Sequence, residues 1–100
     1  EMIERLDGTL RVTAPMIIAN ARALLEAGRR SLTSSSPPAG TAMLLDLAAV
    51  NDVDSSALSV VLAWLRTAGA RGLTLRLANP PANLISLAAL YGVSELLPLA

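Results

Sequence analysis

This 100-residue chain contains no cysteine, no histidine, no lysine and no phenylalanine. Without cysteine there is neither a disulfide framework nor a thiolate nucleophile. Without histidine or lysine there is no imidazole base and no Schiff-base amine, and the usual zinc ligands are missing as well. These absences argue against most catalysis by side chains, so we expect a protein that is not an enzyme and that binds no cofactor.

Aromatic residues are limited to Trp64 and Tyr91, so the core has to be aliphatic. Apolar residues make up 53% of the chain, which excludes a disordered segment and suits one domain over residues 1–100. Eight arginines balance eight acidic residues, which argues against a nucleic-acid partner. The most apolar stretch, residues 57–65, is too short to span a membrane and no export signal opens the chain, so we expect a cytoplasmic protein.

Local patterns predict a small α/β domain. Asp7 and Gly8 lie between two short runs and predict an opening β-hairpin, and Asn79 before two prolines is the expected cap of the last helix. The predicted elements are strands at 2–6 and 9–13, a helix at 16–30, a loop at 31–41, a strand at 42–46, a helix at 55–70, a strand at 73–77 and a helix at 82–91. Right-handed crossovers then give a mixed sheet with parallel βαβ units and about three helices packed against it.

The segment between the buried strand and the central helix carries the most information. The strand ends at Asp46, and the helix opens with Val53, Asp54, Ser55, Ser56, Ala57 and Leu58. This segment resembles the STAS domain family, whose pattern is an apolar residue, Asp, Ser or Thr, Ser or Ala, Gly and Leu. Ala57 stands where the family usually has Gly, and Ala suits a helix better by up to about 1 kcal/mol. The closing residues 87–93, followed by residues 95–98, resemble the Mla phospholipid-transport STAS subunit more than sigma-pathway members.

The resemblance implies two functions, both centred on Ser55. The Mla subunit binds the ATPase subunit of a phospholipid-transport ABC complex that maintains outer-membrane lipid asymmetry, and a Thr at the position of Ser55 matters for that binding. In anti-sigma-factor antagonists the hydroxyl at this position is phosphorylated by a partner kinase. We expect a non-catalytic adaptor of the first kind, held at the inner membrane by its partner, with the antagonist as the alternative. The plainer interpretation is that Asp54 or Ser55 caps the helix.

Helical periodicity predicts which side of the central helix is buried. At about 100° per residue, the inward face holds Leu58, Val61, Leu62 and Leu65. The opposite face carries no charge and includes Trp64, which favours an interface with the partner or with a second copy in a homodimer. The alternative is that Trp64 belongs to the core. The predicted partner-binding residues are Asp54, Ser55, Ser56, Ala57, Val60, Ala63 and Trp64.

Two chemical alternatives have less support. Asp46, Asp52 and Asp54 are close enough in sequence to suggest a metal site, but no phosphate-cradling glycine loop and no neutral general base accompany them. Ser55 has no base that would activate it as a nucleophile. We therefore expect no metal site and no catalytic residue.

Overall fold

The structure, a computed structural model, describes residues 2–34 and 40–100, and its elements follow the predicted order. They are β1 (Ile3–Leu6), β2 (Thr9–Val12), a 3₁₀ turn (Ile18–Asn20), α1 (Ala21–Thr33), β3 (Ala42–Asp46), α2 (Ser55–Ala70), β4 (Thr74–Ala78), α3 (Ala82–Leu90) and a second 3₁₀ turn (Ser94–Leu96). The predicted α/β class is confirmed. In the loop predicted at 31–41, residues 31–33 belong to α1, and residues 35–39 lie outside the described residues.

Asp7 and Gly8 form the turn of the opening hairpin, with φ angles of 36° and 84°. Both angles lie in the left-handed region that tight two-residue hairpin turns require. β1 and β2 pair antiparallel, and Leu6 lies opposite Thr9 across the turn. The hairpin predicted from Asp-Gly is confirmed.

The four strands form one sheet in the order β1, β2, β3, β4. β2 pairs with β3, and β3 with β4, in parallel. The chain passes through α1 between β2 and β3 and through α2 between β3 and β4. Right-handed crossovers that advance in the same direction across a sheet place their helices on the same face, so α1 and α2 share one face. After α3 the chain returns to the sheet edge, where Leu99 forms a parallel bridge with Leu77.

The core lies between this face of the sheet and the helices. Leu45 of β3 and Leu77 of β4 are buried, whereas Leu44 and Arg76, which alternate with them, are exposed. On the helix side, α2 packs against both α1 and α3. The sheet therefore has one covered face and one open face, and α2 is the central helix.

The first helix begins later than the periodicity predicts, at Ala21 and not at residue 16. Met16 is held instead by the loop before α2: its N–H donates to the carbonyl of Asp52 at 2.9 Å, and its carbonyl accepts from the N–H of Asp54 at 3.2 Å. The Met16 carbonyl thus accepts from Asp54 and not from a residue four positions further along, as it would at the start of a helix. This pairing brings the chain before α1 next to the start of α2.

Asp46 closes β3 and ties three parts of the sheet edge together. Its carboxylate accepts from the Asn79 side chain at 3.1 Å and from the Ala48 N–H at 3.0 Å, and it pairs with Arg11 of β2 at 3.4 Å. These contacts lower the pKa of Asp46, the Asn79 amide most of all. The predicted Asn79 cap is wrong, because Asn79 has a left-handed φ of 54° and is engaged here, and Pro81 precedes α3 without a side-chain cap bond.

Candidate functional site

Asp54 fixes the start of α2. As the N-cap residue, it accepts from both the N–H and the hydroxyl of Ser56 through one carboxylate oxygen, at 2.9 Å from the nitrogen. Its other oxygen accepts from the N–H of Ile18 at 2.9 Å, so one side chain joins α2 to the turn before α1. Of the two residues expected to cap this helix, Asp54 is the one that does.

These hydrogen bonds lower the pKa of Asp54, the Ser56 hydroxyl first and the Ile18 N–H second. The charged carboxylate is further favoured by the positive end of the α2 dipole. Both oxygens of Asp54 accept backbone N–H bonds, and both oxygens of Asp46 are engaged at the sheet edge, one by Asn79 and Ala48 and the other by Arg11. Within residues 2–34 and 40–100, no three His, Cys, Asp or Glu side chains are grouped as metal ligands.

Ser55 is the first residue of α2, and it is exposed. Its hydroxyl makes no hydrogen bond to the described residues, whereas the hydroxyl of Ser56 is partly buried and bonded to Asp54. The first N–H groups of a helix have no partner inside the helix. The Ser55 hydroxyl is therefore accessible to solvent next to the positive end of α2, and the Asp54 hydrogen bonds hold the backbone at this position.

The predicted outer face of α2 is wrong. Trp64 is only 2% exposed, and Val60 is buried as well. Trp64 packs on α1 so closely that a Cβ added to Gly28 would lie 2.0 Å from its Nε1 atom. Because α1 and α3 both flank α2, the uncharged face is covered by the protein itself. Trp64 belongs to the core, as in the alternative interpretation.

The remaining predicted residues divide between core and surface. Ala57 is fully buried and Ala63 is half-buried, so the Ala that replaces the family's usual Gly offers no surface to a partner. The true solvent-facing strip of α2 carries one charge and contains Ser55, Ser59, Arg66 and Ala70. Of the predicted binding residues, only Ser55 is exposed, with Asp54 and Ser56 half-buried beside it. Their role in binding stays a prediction.

Beside Ser55 lies an open groove of about 770 Å³. We call it the helix groove; its lining includes Ile18, Leu25, Ser55, Ser59, Leu62 and Tyr91. Ile18 is 73% exposed and Tyr91 57%. Ile18, Leu25 and Tyr91 were not among the predicted site residues. An apolar stripe has the same sequence pattern whether its edge is covered by a neighbouring helix or exposed to solvent.

Comparison with solved structures shows the fold. A proposed anti-sigma factor antagonist from Thermotoga maritima superposes with a TM-score of 0.74 at 17% identity, over 97% of this chain and 82% of that chain. For the unphosphorylated anti-sigma factor antagonist SpoIIAA the TM-score is 0.71 at 15% identity, over 98% and 85%. The murine anion transporter Slc26a9 gives 0.68 at 18% identity, over 92% of this chain but 15% of the transporter.

No curated protein sequence matches this chain. No helix in the described part of the chain combines the length and apolar character needed to cross a bilayer. The sequence profile of the family described as "Mlab, STAS domain" matches residues 3–98. This match covers nearly the whole sequence and agrees with the topology, the Asp54 cap and the solved structures of similar fold, so the chain belongs to the STAS domain family.

Proposed function

We propose that this chain is a non-catalytic adaptor that binds the ATPase subunit of an Mla-type phospholipid-transport ABC complex and supports its assembly or activity. The observation that carries the proposal is the exposed, unbonded hydroxyl of Ser55 on the first turn of α2, beside an open apolar groove. The family description "Mlab, STAS domain" supports this choice of partner. The partner would carry out ATP hydrolysis, and this domain would reach the membrane only through it.

The start of α2 suits a protein contact because its backbone is fixed before binding. Asp54 bonds Ile18 and Ser56, so little backbone freedom is lost when a partner docks. The Ser55 hydroxyl can both donate and accept a hydrogen bond. The apolar walls of the helix groove add area whose burial favours association.

Binding to the purified ATPase subunit of such a complex, measured by calorimetry, tests the proposal. Ser55→Ala removes one hydrogen-bonding group, so we expect binding weaker by roughly three- to tenfold with unchanged thermal stability. Ser55→Asp replaces the hydroxyl with a larger group that cannot donate a hydrogen bond, so it should block the contact and weaken binding further. The control is Ser86→Asp, an exposed serine of α3 outside the helix groove, which should bind like the wild type. If the wild-type chain does not bind the ATPase subunit, the proposal is wrong.

An anti-sigma-factor antagonist switched by phosphorylation of Ser55 is the second candidate, and the accessibility of the same hydroxyl favours it. A phosphate there would be attracted by the positive end of α2 and repelled by Asp52 and Asp54. Mass spectrometry of the protein isolated from its own cells would then show a phosphorylated fraction that Ser55→Ala eliminates. A stable complex with a sigma-regulating kinase would replace the ABC-complex proposal.

A further inference from the structure

The helix groove gathers exposed apolar side chains from three separate parts of the chain. Ile18 comes from the turn before α1, Leu25 from α1, and Tyr91 from the end of α3. A single exposed apolar residue is ordinary, but a contiguous group around a groove marks an interaction site. Ser55 and Ser59 lie in the same groove, so any partner that reaches Ser55 also meets these apolar walls.

The charge at the groove has one sign. Asp54 is the only charged side chain that lines it in the described part of the chain. Asp52, two residues earlier, is exposed and forms no ion pair with the described residues. A partner that fits this surface therefore needs apolar side chains for the walls and a positive charge at the end of the groove formed by the start of α2.

The walls also restrict the backbone of the occupant. They are formed by helices and a helical turn, and offer no row of unpaired N–H and C=O groups of the kind an extended peptide needs to pair with. An extended segment in the groove would bury backbone groups without partners, whereas a helix satisfies its own backbone. An amphipathic helix with apolar residues at a spacing of three and four matches a groove of this kind.

We infer that an amphipathic helix of the partner binds in the helix groove. Its aliphatic side chains lie between Ile18 and Tyr91, and one of its Lys or Arg residues faces Asp52. This inference rests on the proposed function and specifies which surface of the partner binds. It adds Ile18, Leu25 and Tyr91 to the contact around Ser55, and the sequence did not indicate these three residues.

Site-specific photo-crosslinking in the complex with the ATPase subunit tests the inference. A benzoylphenylalanine is placed in turn at Ser55, Ile18, Tyr91 and, as a control, Leu44, which is 39% exposed on the open face of the sheet. We expect Ile18 and Tyr91 to crosslink to one segment of the ATPase subunit, at positions three, four or seven residues apart. Leu44 should give no crosslink.

Each other pattern has a definite meaning. Crosslinks from Ser55 alone would overturn the inference while keeping the proposed function, and no crosslink from any of the four positions would refute both. Contacts at alternate residues of the partner would indicate an extended segment, and contacts with a second copy of this chain would indicate a homodimer; either overturns the inference.

A charge exchange tests the basic residue of the helix. Asp52→Arg should weaken binding about threefold at low salt, since exposed ion pairs contribute little. Replacing the Lys or Arg of the crosslinked partner segment that faces Asp52 with Glu should restore the affinity. If Asp52→Arg and the double exchange bind as tightly as the wild type, no basic residue of the partner faces Asp52 and this part of the inference is wrong.

Discussion

The indole of Trp64 lies directly on Gly28, so that α2 and α1 touch where one residue has the largest side chain and the other has none. A Cβ at Gly28 would lie 2.0 Å from Nε1 and 2.2 Å from Cε2 of Trp64. The contact turns a face of α2 that is uncharged and rich in small residues into an internal one. It also explains why the contact surface that we propose is the groove beside Ser55 and not the Trp64 face.

Gly28→Ala should destabilise the fold. The new methyl group overlaps the Trp64 ring, and overpacking of this kind costs about 1–3 kcal/mol of unfolding free energy. Urea denaturation measures the loss. The matched control is Gly69→Ala in α2, where nothing lies within 4 Å of the new Cβ and where Ala should stabilise by up to about 1 kcal/mol. Equal effects of the two substitutions would contradict the contact.

Trp64→Ala should lower the free energy of unfolding by about 3–5 kcal/mol, because it leaves a cavity between two helices. Trp64→Phe should cost much less, since it keeps most of the ring and removes a buried indole N–H that has no partner among the described residues. Thermal denaturation compares the variants, and calorimetry should find the affinity of Trp64→Phe for the ATPase subunit unchanged. An unaltered melting temperature in Trp64→Ala would show that Trp64 is not in the core.

Acid should destabilise this protein partly through Asp46. Its pKa is lowered in the folded state by the Asn79 amide and the Ala48 N–H, so the stabilisation is present above the unfolded value of about 4 and is lost as the pH falls through the lower folded value. Urea unfolding at neutral pH and below pH 4 measures this. Asp46→Asn should be less stable at neutral pH and less sensitive to acid, whereas Asp52→Asn should behave like the wild type. Parallel pH profiles for all three proteins would contradict this assignment.

Asp54→Ala should release the turn before α1. Removal of the carboxylate leaves the N–H of Ile18 without its acceptor, so we expect that amide to exchange faster with deuterium. Nuclear magnetic resonance measures the exchange rate. The Met16 N–H, which donates to the Asp52 carbonyl, provides an internal control and should exchange as before. Unchanged exchange at Ile18 would mean that Asp54 does not hold this edge of the helix groove.

Much of the fold could be predicted because its signals are local. The Asp7-Gly8 turn needs positive φ, and both residues have it. α2 spans the predicted residues, Ser55–Ala70, since a capping Asp precedes a long apolar period. Asn79 was misassigned because its amide bonds Asp46 in another strand, and sequence spacing gives no sign of such a distant partner.

The candidate site was predicted only where it depends on the first turn of α2. Periodicity identifies residues that share a helix face, but not how many neighbours the helix has, and α2 has helices on both sides. A usable signal was present: Gly28 falls in the apolar series of the first helix and offers no side chain, which indicates room for a large residue from elsewhere.

By itself, the sequence determined the order of elements, the opening hairpin and a start of α2 capped by Asp54 or Ser55, because each depends on residues a few positions apart. Only the tertiary structure decided that Asp54 is the cap, that Trp64 is internal and that Ile18 and Tyr91 line the same groove as Ser55. The last two relationships join residues far apart in the chain, and they follow from the packing of α1, α2 and α3 on one face of the sheet.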